Sequence, residues 1–116
     1  MKSVFVRWIA TLLWASLIWY LTTIPDFRPS SNSMISWLLS VGGHFFFFGI
    51  QAVLLSRSLP TSIYNLTSSF SLVILYGLSI ELIQRGIPGR SFSLIDLGLD
   101  GLGAWLFLYT MRKYKP

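Results

Sequence analysis

The sequence predicts an all-α fold, a bundle of four transmembrane helices with both termini in the cytoplasm. Three observations predict it: four long apolar runs, too few charged residues to cover a soluble domain, and basic residues gathered at the ends of the runs. Only 11% of the 116 residues are charged and 53% are hydrophobic, whereas a soluble domain carries about 25% charged residues. A small soluble domain needs polar side chains to cover its large surface, and lipid relieves this chain of that need. Helices rather than strands are expected, because an isolated strand cannot satisfy its backbone polar groups in hydrocarbon. The length suits one domain spanning residues 1–116.

The first apolar run extends from about Val4 to Ile24. Trp8 near one end and Trp19-Tyr20 near the other match the aromatic belts of a membrane span. The run exceeds the ~7–15 apolar residues of a signal peptide and no small-x-small cleavage site follows, so a retained helix is expected. Pro25 and Pro29 mark its end. The second run extends from Met34 to Leu55. The third, from about Ser62 to Ile83, is polar in its first half, where Asn65, Thr67, Ser68, Ser69 and Ser71 stand. Ile87-Pro88-Gly89-Arg90 reads as a turn, with glycine at the positive-φ position of a type II turn. Ser93-Leu94-Ile95-Asp96 reads as a capping box opening the fourth run, Leu94 to Thr110. Each run has about 17–22 residues, enough to cross a ~30 Å hydrocarbon core.

Four spans put Lys2, Arg7, Arg57, Arg112, Lys113 and Lys115 on one side and Arg28, Arg85 and Arg90 on the other. The positive-inside rule then places both termini in the cytoplasm. The net charge of +5 does not predict nucleic-acid binding. Its basic residues stand at the ends of apolar runs, not in a stripe on a polar surface, and their expected partners are membrane lipids. Without cysteine the chain has no disulfide, thiolate metal site or cysteine nucleophile.

The residues able to carry chemistry gather toward the outer face. Glu81 and Gln84, three apart, share a helix face, and so do Asp96 and Asp100, four apart. Arg90 stands in the turn between them. Ser40, His44 and Gln51 form a polar stripe on the second helix, which Phe45 to Phe48 otherwise surround. If these stripes face inward they form one polar pocket open to the outside. A carboxylate near the bilayer centre costs about 2.5–3.5 kcal/mol even on the lenient insertion scale, so partners, water or a ligand must compensate it. The candidate ligand-binding residues are therefore His44, Glu81, Gln84, Arg90, Asp96 and Asp100. Structural roles compete with this reading. Asp96 suits a helix cap, His44 an interhelical hydrogen bond, and Gly98, Gly101 and Gly103 close helix packing. Arg7, Arg57, Arg112 and Lys113 suit snorkelling anchors.

The run Glu81-Leu-Ile-Gln84-Arg-Gly-Ile-Pro88-Gly89-Arg90-Ser91-Phe92-Ser-Leu-Ile-Asp96-Leu-Gly-Leu-Asp100-Gly-Leu-Gly103 resembles the VanZ-like family of small integral membrane proteins. The shared pattern is Glu-x-x-Gln, a Pro-Gly-Arg-Ser-Phe turn, then an Asp and a Gly on the following helix. Thr22-Thr23-Ile-Pro25 is similar to the family's Ser-Ser-x-Pro element, and His44 to its histidine on the second helix. Val41 and Phe48 stand where the family often has lysine and tyrosine, and Asp100 where it has asparagine. The resemblance covers nearly the whole chain. It implies a multi-pass protein of the cell envelope, in a family whose namesake is associated with glycopeptide resistance.

Three functions compete, with a proton or ion pathway through the carboxylates a weaker fourth. The first is non-enzymatic binding of a polar lipid or a cell-wall precursor head group, with no cofactor. The second is a metal-dependent membrane hydrolase, for which His44, Glu81, Asp96 and Asp100 offer nitrogen and oxygen ligands. The third is an accessory subunit packed into a larger membrane complex by its glycine-bearing helices.

Overall fold

A computed structural model of the chain describes residues 2–23, 32–62, 64–87 and 94–113. They form four helices, α1 (Lys2–Thr23), α2 (Ser33–Ser58), α3 (Asn65–Gln84) and α4 (Leu94–Lys113). Each contains a stretch apolar enough to cross a membrane, of 20, 25, 20 and 19 residues in chain order. At 1.5 Å per residue these stretches measure about 28–38 Å, which spans the hydrocarbon core. The protein is an all-α, four-helix integral membrane protein.

The helix boundaries depart from the sequence expectation where polar side chains intervene. α2 runs past Leu55 to Ser58. Ser58 Oγ donates back to the Leu54 carbonyl at 3.0 Å and lies 2.7 Å from Thr11 Oγ1 of α1, so the neighbouring helix holds that last turn. α3 starts at Asn65 rather than Ser62, because Ser62 shapes the preceding turn. Its Oγ accepts from the Tyr64 N–H at 3.2 Å, and its carbonyl accepts from the Asn65 N–H. The Asn65 amide then donates to the Ser56 and Pro60 carbonyls and closes the α2–α3 connection. Asn32 caps α2, its side-chain oxygen accepting from the Ile35 N–H at 3.1 Å. The expected stops at Pro25 and Pro29, the Pro88-Gly89 turn and Ser93 of the capping box lie outside the described residues. Asp96 does stand in the first turn of α4, where the helix dipole favours an anion.

α2 is the central element. It packs against the other three helices and most extensively against α4, whereas the backbones of α1 and α4 stay apart among the described residues. Gly103 makes the α2–α4 contact possible. A Cβ there would collide with the Phe45 carbonyl oxygen, so the two backbones meet directly, as at small-residue interfaces in membranes. α1 is tied in by hydrogen bonds: Trp14 Nε1 donates to the Phe47 carbonyl at 2.9 Å, and the Tyr76 hydroxyl donates to the Ala15 carbonyl. The core between the helices holds Ile18, Phe48, Ala52, Val73, Ile80, Ala104 and Leu108.

The outer surface is apolar, with Leu13, Trp37, Leu75, Ile95 and Trp105 each more than half exposed. A soluble monomer rarely presents continuous apolar area on this scale, and lipid chains solvate it. The polar groups divide between the two ends. Arg7, Arg57 and Arg112 meet at one end. Glu81, Asp96 and Asp100 lie toward the other, where Gln84 reaches the last turn of α1.

Candidate functional site

The helix periodicity of α3 builds one wall of the site. Its buried residues are Ser69, Val73, Gly77, Ile80, Glu81 and Gln84; each stands three or four from another of them, so they share one face. Glu81 is fully buried although it stands in an apolar helix. α4 supplies Asp96 and Asp100, one turn apart on a single face. Asp100 is 1% exposed and about 9 Å along the helix from Leu94, while Asp96, nearer the helix start, keeps partial access to solvent. α2 brings His44 between them.

His44 bridges the two aspartates. Its Nδ1 is hydrogen-bonded with Asp100 Oδ1 at 2.6 Å, and its Nε2 lies 3.5 Å from Asp96 Oδ2. Phe48, one turn along α2, lies parallel to the imidazole, with 6.1 Å between ring centroids and 3° between planes. The ring therefore presents both nitrogens to α4 and one face to an apolar neighbour. Gly77 of α3 leaves room for the second oxygen of Asp100, since a Cβ there would stand 2.8 Å from Oδ2. Oδ2 is buried and accepts no hydrogen bond among the described residues. One ligand atom from each of His44, Glu81 and Asp100 lies within 4.8 Å of the other two. Three helices thus converge on one polar cluster. Three carboxylates beside a single imidazole, mostly withdrawn from water, require positive charge or hydrogen-bond donors nearby.

Of the six residues singled out by sequence, His44, Glu81, Asp96 and Asp100 come together. Gln84 is buried on the same face of α3, but its amide nitrogen donates to the Thr22 carbonyl at 2.7 Å and links α3 to α1. Arg90 lies outside the described residues. The polar stripe of α2 divides among surroundings: Ser40 is exposed, His44 turns to α4, and Gln51 donates to the Thr11 carbonyl of α1 at 3.5 Å. Of the three glycines expected to pack, Gly101 and Gly103 face neighbouring side chains or backbone, and Gly98 faces open space. At 100° per residue Gly98 and Gly103 point about 140° apart, so one interface cannot use both. Sequence reasoning missed Gly77 and the flanking role of Phe48. The available signal was spacing, since Gly77 stands four before Glu81 and Phe48 four after His44.

Compared with known proteins, no protein-family model, no curated protein and no solved structure matches the chain.

Proposed function

We propose that the chain is a VanZ-like, multi-pass protein of the bacterial inner membrane that binds the polar head group of a lipid or cell-wall precursor at an outward-facing site. The observation that carries this reading is the convergence of His44, Glu81 and Asp100 within 4.8 Å, from three helices and largely out of water. Scattered polar groups would each need separate compensation in lipid, whereas one ligand can serve a cluster. The motif from Glu81 to Gly103 supports the family. The six-to-three distribution of basic residues supports cytoplasmic termini, which put the cluster toward the outer face. Among the described residues the cluster is acidic, so it suits a head group that brings an ammonium or hydroxyl donors.

The test is native mass spectrometry of the detergent-purified protein. Lipid or precursor carrying an amine or hydroxyl head group should be retained by the unaltered protein and lost from the Asp100→Asn and Glu81→Gln variants. Retention of the same molecules by folded variants would sink the proposal.

One observation favours a second reading. Three ligand atoms within 4.8 Å of one another provide the three protein ligands that a catalytic divalent metal uses while keeping a position open. The hydrolase reading then needs stoichiometric zinc or manganese in the purified protein, measured by elemental analysis, and release of that metal by His44→Gln. Metal-free protein that keeps its head-group ligand decides for the first reading.

A further inference from the structure

At the end of the bundle away from the His44 cluster, the helix ends surround a cleft of about 690 Å³. Arg7 of α1, Arg57 of α2 and Arg112 of α4 line it, above Leu59, Leu66 and Met111. Those three apolar residues pack against the hydrophobic core, so the cleft has a charged rim and an apolar floor. α1 and α4 both contribute although their described backbones stay apart.

Among the described residues the rim has no acidic side chain. The chain has four acidic residues. Glu81, Asp96 and Asp100 belong to the opposite end, and Asp26 follows the far end of α1 in the sequence. Arg7 Nη1 donates to the Arg57 carbonyl at 3.3 Å, which brings two guanidinium-bearing residues side by side. The C-terminal dipoles of α2 and α4 soften the repulsion among the arginines, but a dipole does not occupy the planar donor forks. Phosphate does, through paired charge-assisted hydrogen bonds. α3 also begins beside the cleft, at Asn65 and Leu66, and turns the positive end of its dipole toward it.

We infer that this cleft binds the phosphate of an anionic phospholipid, with the three arginines on the head group and the upper acyl carbons against Leu59, Leu66 and Met111. Free phosphate shares the charge chemistry but makes no use of an apolar floor. Past Arg7 toward the membrane interior, α1 exposes Ile9, Leu12 and Leu13, an apolar surface for the rest of the acyl chain. The site is separate from the His44 cluster, and its test does not depend on what binds there.

The experiment compares phosphatidylglycerol, phosphatidylcholine and inorganic phosphate as additives to the purified, delipidated full chain. Binding is read by native mass spectrometry and by the shift in thermal unfolding. Phosphatidylglycerol should bind and stabilise, and phosphatidylcholine should bind much more weakly. Arg57→Gln and Arg112→Gln should each weaken phosphatidylglycerol binding about fivefold, and the pair about 25-fold. Arg57→Lys with Arg112→Lys should keep part of the affinity, since charge remains while the planar fork is lost. Arg85→Gln, at the other end of the bundle, should leave binding unchanged. Equal binding of the two lipids by the unaltered protein would overturn the inference, and that comparison needs no variant to fold. So would undiminished binding by the Arg57→Gln/Arg112→Gln protein. Inorganic phosphate matching phosphatidylglycerol would identify a free-anion site and refute the lipid assignment.

Discussion

Asp100 owes its place in the bundle to its neighbours. It is 1% exposed, paired with His44 at 2.6 Å, and has room for its second oxygen only because residue 77 is glycine. Removing one partner of such a buried pair leaves the other uncompensated, at a cost of about 3–5 kcal/mol. His44→Leu should therefore destabilise the protein by that order. The double variant His44→Leu/Asp100→Leu should be more stable than the His44→Leu single variant, because Asp100 is then no longer stranded. Reversible unfolding in detergent or bicelles measures all the variants, and strictly additive losses would show that the two residues do not act as a pair. Half of this arrangement was legible beforehand. The spacing of Asp96 and Asp100 fixes a common face, and a carboxylate inside an apolar run demands a partner. Which residue supplies that partner was not legible, because a side chain's periodicity reports its own face and not the helix opposite. For the same reason Gln84 and Glu81, on one face of α3, reach different neighbours.

Among the helices, the α2–α4 contact is where packing is least forgiving. Gly103→Ala would drive a Cβ into the Phe45 carbonyl, so the two helices must separate. A loss of about 1–3 kcal/mol is expected, in the range of overpacked cores. Gly98→Ala meets open space and should instead stabilise the protein by about 0.5–1 kcal/mol through helix propensity. Thermal unfolding of the two variants side by side checks this, and similar effects of both would contradict the contact. At the start of α2, Asn32→Ala removes the cap on Ile35 and should cost about 0.5–2 kcal/mol. The existence of four helices was legible from their length and apolarity alone. Their ends were less so, because Asn32, Ser58 and Ser62 set them through individual hydrogen bonds. Helices that are apolar all round also carry no stripe to reveal which neighbour they choose.

For the whole molecule, the division of charge makes orientation testable. With cytoplasmic termini, single cysteines at Ser31 and Ser91 should react with an impermeant thiol reagent on intact cells, and one at Ser62 should react only after permeabilisation. Ser62 is exposed, whereas Ser58 is buried against Thr11, so a thiol at 58 would stay silent on either side. Labelling of Ser62 alone would invert the topology and turn the His44 cluster toward the cytoplasm.

The separation of 56 positions from His44 to Asp100 also imposes an order on biogenesis. A ribosome adding about 5–20 residues per second makes His44 roughly 3–11 s before Asp100. α2 thus reaches the insertion machinery carrying a single imidazole as its ionisable group in the acidic half. Glu81, Asp96 and Asp100 follow, the last two on the final helix. A stranded carboxylate costs about 2.5–3.5 kcal/mol even on the lenient scale, and here it is delivered last, to a bilayer that already holds its partner. A nascent chain halted before α4 would instead leave His44 with neither aspartate and its α4-facing side open to lipid, a mark by which membrane quality control could tell the unfinished protein from the finished one.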